Sequence, residues 1–253
     1  MTQRDFHINR MNAYLRGRLA EETYQESYRK KFTFRPSLTL SRQCGARADE
    51  LGRMLIEYLE AVDETATHGW ALFDQSLIGR VIEDHVLPDT VSPYHAANAK
   101  FPGGLGLEKV LSLDPSKWTL FNYSAKTIRS LCTLGNTIIL GRAGNFVTSD
   151  LDNTFHVRLV GSFDDRVQSV ATRHLLSREN AEMLVRETDF SRARFVKRYT
   201  RSDIDDPNAY HLVINSDDLS DEAIVRILSD SVLEWAHDRE KRLHRAESLP
   251  NTN

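Results

Sequence analysis

Leu38-Thr39-Leu40-Ser41-Arg42-Gln43-Cys44-Gly45-Ala46-Arg47-Ala48-Asp49-Glu50 decides how the rest of this 253-residue chain is read. Leu38 to Leu40 predict a short buried strand, and the residues from Leu51 predict a helix. A turn of this kind is where a phosphate-binding loop stands, and its usual pattern is G-x-x-x-x-G-K-[ST]. Laid over this stretch, Arg42 and Arg47 occupy the two glycine positions, Ala48 the lysine position, and Glu50 comes near the hydroxyl position. Gly45 is the glycine left inside the turn.

Outward from this turn, the helix that follows is well marked. Leu51, Met54, Leu55, Tyr58, Leu59 and Val62 recur at helical spacing and predict one buried stripe. Trp70-Ala-Leu-Phe73-Asp74 then leads into Leu77, Ile78, Val81 and Ile82, a second helical period with Asp74 placed to cap it. Prolines 88, 93, 102 and 115 and the Gly103-Gly104-Leu-Gly106 cluster predict a loop-rich excursion, followed by a helix from about Phe121 to Leu134. Thr137–Leu140, Phe155–Val160 and His211–Asn215 read as further strands. Between them Ser162-Phe-Asp-Asp165 resembles a capping box, and Ser177 and Ser220 open two more helices. Short apolar strands separated by helices predict an α/β fold, a parallel sheet covered on both faces. Ligands of such sheets bind beyond the carboxyl ends of the strands. Topology therefore nominates Ser41–Arg47, Gly141–Asn145, Gly161–Asp165 and Asn215–Asp218.

Composition narrows the function. A formal net charge of -3, with 40% apolar and 27% charged residues, fits an ordinary globular protein and argues against nucleic acid or a membrane surface as partner. No apolar run approaches the roughly 20 residues of a membrane span, and the polar N-terminus lacks a signal-peptide core, so the cytoplasm is the expected location. Cys44 and Cys132 form neither a metal cluster nor a disulfide framework. Cys44 lies at a predicted helix N-terminus, a place that lowers a thiol pKa, but it has no partner to make it a nucleophile. His156 on its strand reads as structural, and no Cys/His spacing suggests a metal.

Residues 1–35 read as an amphipathic helical extension. Met11, Leu15 and Leu19 share a face among many basic residues, which predicts packing on the main domain or on a second copy as a homodimer. The main domain is expected over 36–245, with a disordered tail over 246–253.

Several blocks, taken together and in order, carry a resemblance. They are Leu38-Thr-Leu-Ser-Arg-Gln-Cys-Gly45, Phe73-Asp74, Asn136-Thr-Ile-Ile-Leu-Gly-Arg142-Ala-Gly-Asn145, His156-Val-Arg-Leu-Val160, Asp189-Phe-Ser-Arg192 and Asp206-Pro-Asn-Ala-Tyr-His-Leu-Val-Ile-Asn215. The chain resembles the cytidylate kinase-like family, nucleoside monophosphate kinases of the P-loop fold. The resemblance implies a three-layer P-loop NTPase-like fold and transfer of the γ-phosphoryl group of ATP, with Mg²⁺, to a nucleoside monophosphate such as CMP. It places Arg42, Gln43, Gly45 and Arg47 on the donor phosphates, Arg142 on the acceptor phosphate, and Asp74 on the acceptor side. On a lid over about 186–206 it makes Asp189 and Arg192 the catalytic residues, with Arg192 at the transferring phosphoryl group, and Lys197 a phosphate-binding one, while Asn215 falls near the donor base. Guanidinium groups suit this work because they bind phosphate bidentately and stay charged. Two departures stand out. Ala48 replaces the lysine, and Ala143 replaces the aspartate of the family's Gly-Arg-Asp segment. Together they open a second reading, a non-catalytic member retained as a nucleotide sensor or interaction module.

Overall fold

Ser37–Arg42 (β1) is central because its residues bury on both sides. Leu38 and Leu40 face one layer of helices, while Thr39 and Ser41 face the other. The computed structural model describes residues 8–18, 34–74 and 116–247. In these residues β1 is followed by α2 (Ala48–Val62), β2 (Ala71–Phe73), α3 (Ser116–Leu134), β3 (Thr137–Leu140), α4 (Gly144–Val147), β4 (Thr154–Val160), α5 (Phe163–His174), α6 (Arg178–Thr200), β5 (Leu212–Asn215) and α7 (Asp221–Glu247), and α1 spans 8–18. The sheet runs β2-β3-β1-β4-β5 and every pairing is parallel. In register, Leu38 faces Ile138 on one side and Phe155 on the other.

The apolar face of the sheet meets α2 and α7. Leu51, Leu55, Ile56 and Leu59 of α2 and Ile224, Val225, Leu228 and Val232 of α7 close over Leu38, Leu40, Val157 and Leu159. Each such aliphatic burial is worth about 1.5–3 kcal/mol, so this layer dominates the stability. Val62, expected to close the α2 stripe, is 43% exposed at the last residue of the helix.

On the opposite face, Ile128, Leu131 and Cys132 of α3 pack with Ile139, Phe73 and the α1 residues Met11, Tyr14 and Leu15. The apolar face of α1 is thus covered within its own chain. Its polar residues are used as well: the Tyr14 hydroxyl donates to the Gly135 carbonyl and Arg18 donates to the Asn136 side chain.

The serine caps lie where the sequence put them. Ser162 Oγ accepts from the Asp165 N–H, Ser177 Oγ from Asn180, and Ser220 Oγ from Ala223. β2 is a difference, since three residues on a sheet edge are too few to show a period of two. The helix expected from Leu77 and the loop of 88–115 lie outside the described residues. Among the described residues no helix is long and apolar enough to cross a membrane.

Candidate functional site

Strands β1, β3, β4 and β5 all run the same way, so the turns after Arg42, Leu140, Val160 and Asn215 share one edge of the sheet. Backbone bonds tie them together there. Gln43 N–H donates to the Leu159 carbonyl, Gly141 N–H to Leu40 and Ser216 N–H to Val160. The Gln43 side chain accepts from the Gly161 N–H at 3.1 Å, and Ser162 N–H donates to Asp217.

Between the ends of β1 and β3 and the inner side of α6 lies a pocket of about 150 Å³. Arg42, Arg142 and Arg192 converge on it, with Thr39 and Ser41 below and Phe195 on the lid side. The turn that presents Arg142 is left-handed for three residues in a row: Gly141 has φ 76°, Arg142 58° and Ala143 55°. The left-handed φ favours glycine at 141, and a Cβ there would push the flexible end of the Arg42 side chain aside, out of the pocket geometry seen here. Arg142 also lies over the Phe195 ring at 5.9 Å. The nearby surface acids Asp150 and Asp152 pair elsewhere, with Arg129 and Arg239.

Below the pocket the sheet presents polar residues. Thr39 Oγ1 lies 2.9 Å from His156 Nδ1, and Ser41 Oγ accepts from Arg158 at 3.0 Å. Arg158, buried to 4% exposure, also pairs with Asp205 and lies over the Tyr210 ring. Burial holds the His156 imidazole down to about 4, with His211 adding to the effect, so the ring is neutral at neutral pH. His211 stacks on it at 5.0 Å and accepts the His156 backbone N–H at 2.9 Å.

The turn after β1 is the second half of the site, and it is closely packed. Gly45 has φ 86°, and a Cβ would meet the Arg166 carbonyl oxygen at 2.4 Å, so α5 rests directly on the loop. Cys44 packs among Val167, Val170, Ala181 and Val185 of α5 and α6. That burial pushes its thiol pKa up, against the expected lowering. The helix dipole acts from Ala48 onward, one turn too late to outweigh desolvation. Arg47 adopts the left-handed cap position of α2 with φ 54° and turns to the β5–α7 connection. There it donates to the Ser216 carbonyl at 2.7 Å and pairs with Asp221 at 3.1 Å. Asp49 and Glu50 both pair with Arg173 of α5, which removes much of their opposition to a bound anion.

Asp189 stands against this loop. One carboxylate oxygen accepts the Cys44 N–H at 2.7 Å, the other accepts Arg166 at 2.6 Å, and Arg192 is 3.9 Å away. Arg192 in turn donates to the Arg42 carbonyl at 3.3 Å. Of the residues nominated from sequence, Arg42, Arg142 and Arg192 thus meet around the pocket, and Gln43, Gly45 and Asp189 meet at the adjoining loop. Arg47 is drawn to the third turn. Asp74 follows β2 at the same sheet edge, and Asn215 spends its side-chain oxygen on the Asp217 N–H. Lys197 is exposed and does not line the pocket. Sequence reasoning did not single out Arg166, Arg158 or Phe195 as site residues, because their placement depends on how α5, β4 and α6 pack rather than on a local motif. Among the described residues no three His, Cys, Asp or Glu side chains gather to hold a metal.

Comparison with known proteins places this arrangement. No curated protein sequence matches the chain. An uncharacterized protein from Eubacterium ventriosum has a solved structure that is 14% identical, covering 78% of this chain and 98% of its own, with a TM-score of 0.57. The shikimate kinase from Bacteroides thetaiotaomicron is 11% identical over 85% of this chain and 99% of its own, at a TM-score of 0.41. The fold is the three-layer P-loop NTPase-like α/β fold, with helices on both faces of a parallel sheet. The profile of the cytidylate kinase-like family matches residues 37–218, from the start of β1 to just past β5, so the chain belongs to the cytidylate kinase-like family.

Proposed function

We propose that this nucleotide kinase-like protein transfers the γ-phosphoryl group of ATP to a nucleoside monophosphate, with CMP the first candidate, in the cytoplasm. The observation that carries the reading is the convergence of Arg42, Arg142 and Arg192 on one pocket at the carboxyl edge of the sheet. Three guanidinium groups lining one cavity suit a phosphate, which they bind bidentately while staying charged. Phosphoryl transfer asks mainly for positioning and charge stabilisation, which such a cluster supplies. Mg²⁺ enters this scheme with ATP, as part of the donor substrate. The carboxylates at the start of α2, Asp49 and Glu50, are engaged by Arg173, and Asp189, which meets the loop at Cys44, is engaged by Arg166.

A second reading, nucleotide binding without transfer, is favoured by Arg47. Its ion pair with Asp221 and its bonds to the Ser216 and Leu219 carbonyls commit it elsewhere, so it does not replace the missing lysine. A coupled assay for ADP release over a panel of nucleoside monophosphates separates the two. Transfer predicts release that depends on the acceptor and is lost in Arg142→Ala. Acceptor binding by calorimetry with no ADP release selects the second reading, and no binding of any monophosphate overturns both.

A further inference from the structure

We propose that the Asp189 carboxylate is an internal anion, seated in a phosphoryl-binding site made by the Cys44 N–H, Arg166 and Arg192, and that a nucleotide phosphate must displace it. The inference rests on the nucleotide-binding reading only for the identity of the competing anion.

The donors converge from three separate elements. Cys44 N–H comes from the turn after β1, Arg166 from α5 and Arg192 from α6. Arg166 is held rigidly: its Nε donates to the Gly161 carbonyl at 3.0 Å, and its NH1 donates to the Cys44 carbonyl at 3.0 Å as well as to Asp189. Its side chain is only 9% exposed. A guanidinium so fixed and so buried calls for an anion beside it, because an unmatched buried charge is costly. Asp189 supplies one, its two oxygens reaching donors on two different elements as two oxygens of a phosphoryl group would. At 28% exposure it remains within reach of solvent, so the site is not sealed.

The helix that carries this anion also carries a cation. Asp189 and Arg192 are one turn apart on α6, and Arg192 lines the pocket shared with Arg42 and Arg142. With Asp189 seated, α6 is drawn onto the loop and its own carboxylate neutralises Arg166. With a phosphoryl group seated instead, Asp189 must swing away while Arg192 stays to neutralise the ligand. The same turn of helix therefore acts as a closed latch without ligand and as a clamp with it. Occupancy of the donor site is set by competition between a tethered anion and a free one.

The test uses inorganic pyrophosphate as the probe, with calorimetry on the full chain. Asp189→Ala is expected to bind pyrophosphate roughly tenfold more tightly than the wild type, the size of one charge-assisted hydrogen bond released. Adding Arg166→Gln to that variant is expected to remove the gain. Equal or weaker binding by Asp189→Ala, or a gain that survives loss of Arg166, overturns the latch. Should Asp189→Ala not fold, amide exchange on the wild type decides. Pyrophosphate is expected to speed exchange over residues 185–192, and unchanged or slower exchange there overturns the proposal. Titration with CMP forms a separate arm. CMP binding with no pyrophosphate gain leaves the function standing and removes the latch, and a pyrophosphate gain with no binding of any monophosphate of the panel does the opposite.

Discussion

His156 offers a quantitative test of how the polar face of the sheet is built. Its ring is buried against Thr39 and His211, and burial lowers its pKa from 6.5 to about 4 in the folded chain. In the unfolded chain the same group returns to about 6.5. Between those two values the unfolded chain binds the extra proton and the native chain does not. Stability therefore rises with pH across this window, is fully present above about pH 6.5, and is lost as pH falls to about 4. Each pH unit is worth about 1.4 kcal/mol, so His156 alone accounts for about 3 kcal/mol. His211, lowered by burial and then by Arg239, adds in the same direction. Urea denaturation of the wild type and of His156→Gln at intervals between pH 4 and 7 reads the effect. The variant is expected to show a curve flatter by about 3 kcal/mol over the window, whatever its absolute stability. Asp150, held at about 2 by Arg129, adds to the slope only at the acid end of the window and does so equally in both proteins, so it cancels in the comparison. A variant that keeps the full pH slope would show that the imidazole is protonated in the native state and that this account of the sheet face is wrong.

Other substitutions probe the site itself. Arg142→Ala removes one charge-assisted contact to the acceptor phosphate and is expected to weaken CMP binding by about 10- to 100-fold in calorimetry; unchanged affinity counts against the pocket. Gly45→Ala is expected to destabilise the fold by roughly 2–4 kcal/mol, because the side chain must take a left-handed φ and meet the Arg166 carbonyl. Thermal melting reads that loss, and a shift within error would mean that α5 yields easily. Ala48→Lys, the change that would nominally repair the loop, is expected to cost roughly 2–5 kcal/mol in the same measurement and to restore nothing in the ADP assay. A stable, more active Ala48→Lys would overturn the packing described for the start of α2.

What the sequence made legible was what depends on neighbours in the chain. Ser162 and Ser177 announced their helices because a cap is a contact between residues three apart. The strand ends that form the site were legible because a parallel sheet fixes where its carboxyl edge must be. Arg42, Arg142 and Arg192 could be nominated through the ordered blocks, but only the fold brings them to one pocket. The rest was set by tertiary packing. Nothing local in Ser162-Phe-Asp-Asp-Arg166 says that Arg166 will reach Cys44 and Asp189 across more than 20 residues of chain on either side. Cys44 misled for the same reason, since the α5–α6 pair that buries it lies far along the sequence. β2 is stabilised by β3 and by α1, not by any signal of its own.

The missing lysine takes on a different meaning in this setting. Ala48 is 2% exposed and packs in the core with Leu51, Leu55 and Ile224, so the position that the motif assigns to a lysine is here a core position. The residues around this position form a packed loop in which an alanine, not a lysine, fits. Arg47 braces the β5–α7 connection, Arg173 neutralises Asp49 and Glu50, and Arg166 brings a fixed positive charge to the loop from α5. Positive charge that a lysine would carry from within the loop is thus delivered from α5 and α6. In the latch proposed for Asp189, the charge carried by α6 depends on the position of that helix, whereas a lysine would belong to the loop itself. Asp189, through the Cys44 N–H and Arg166, is one of the contacts that hold α6 to the loop, beside Ala181 and Val185 packed on α5, so the latch proposed for Asp189 would act on the position of Arg192.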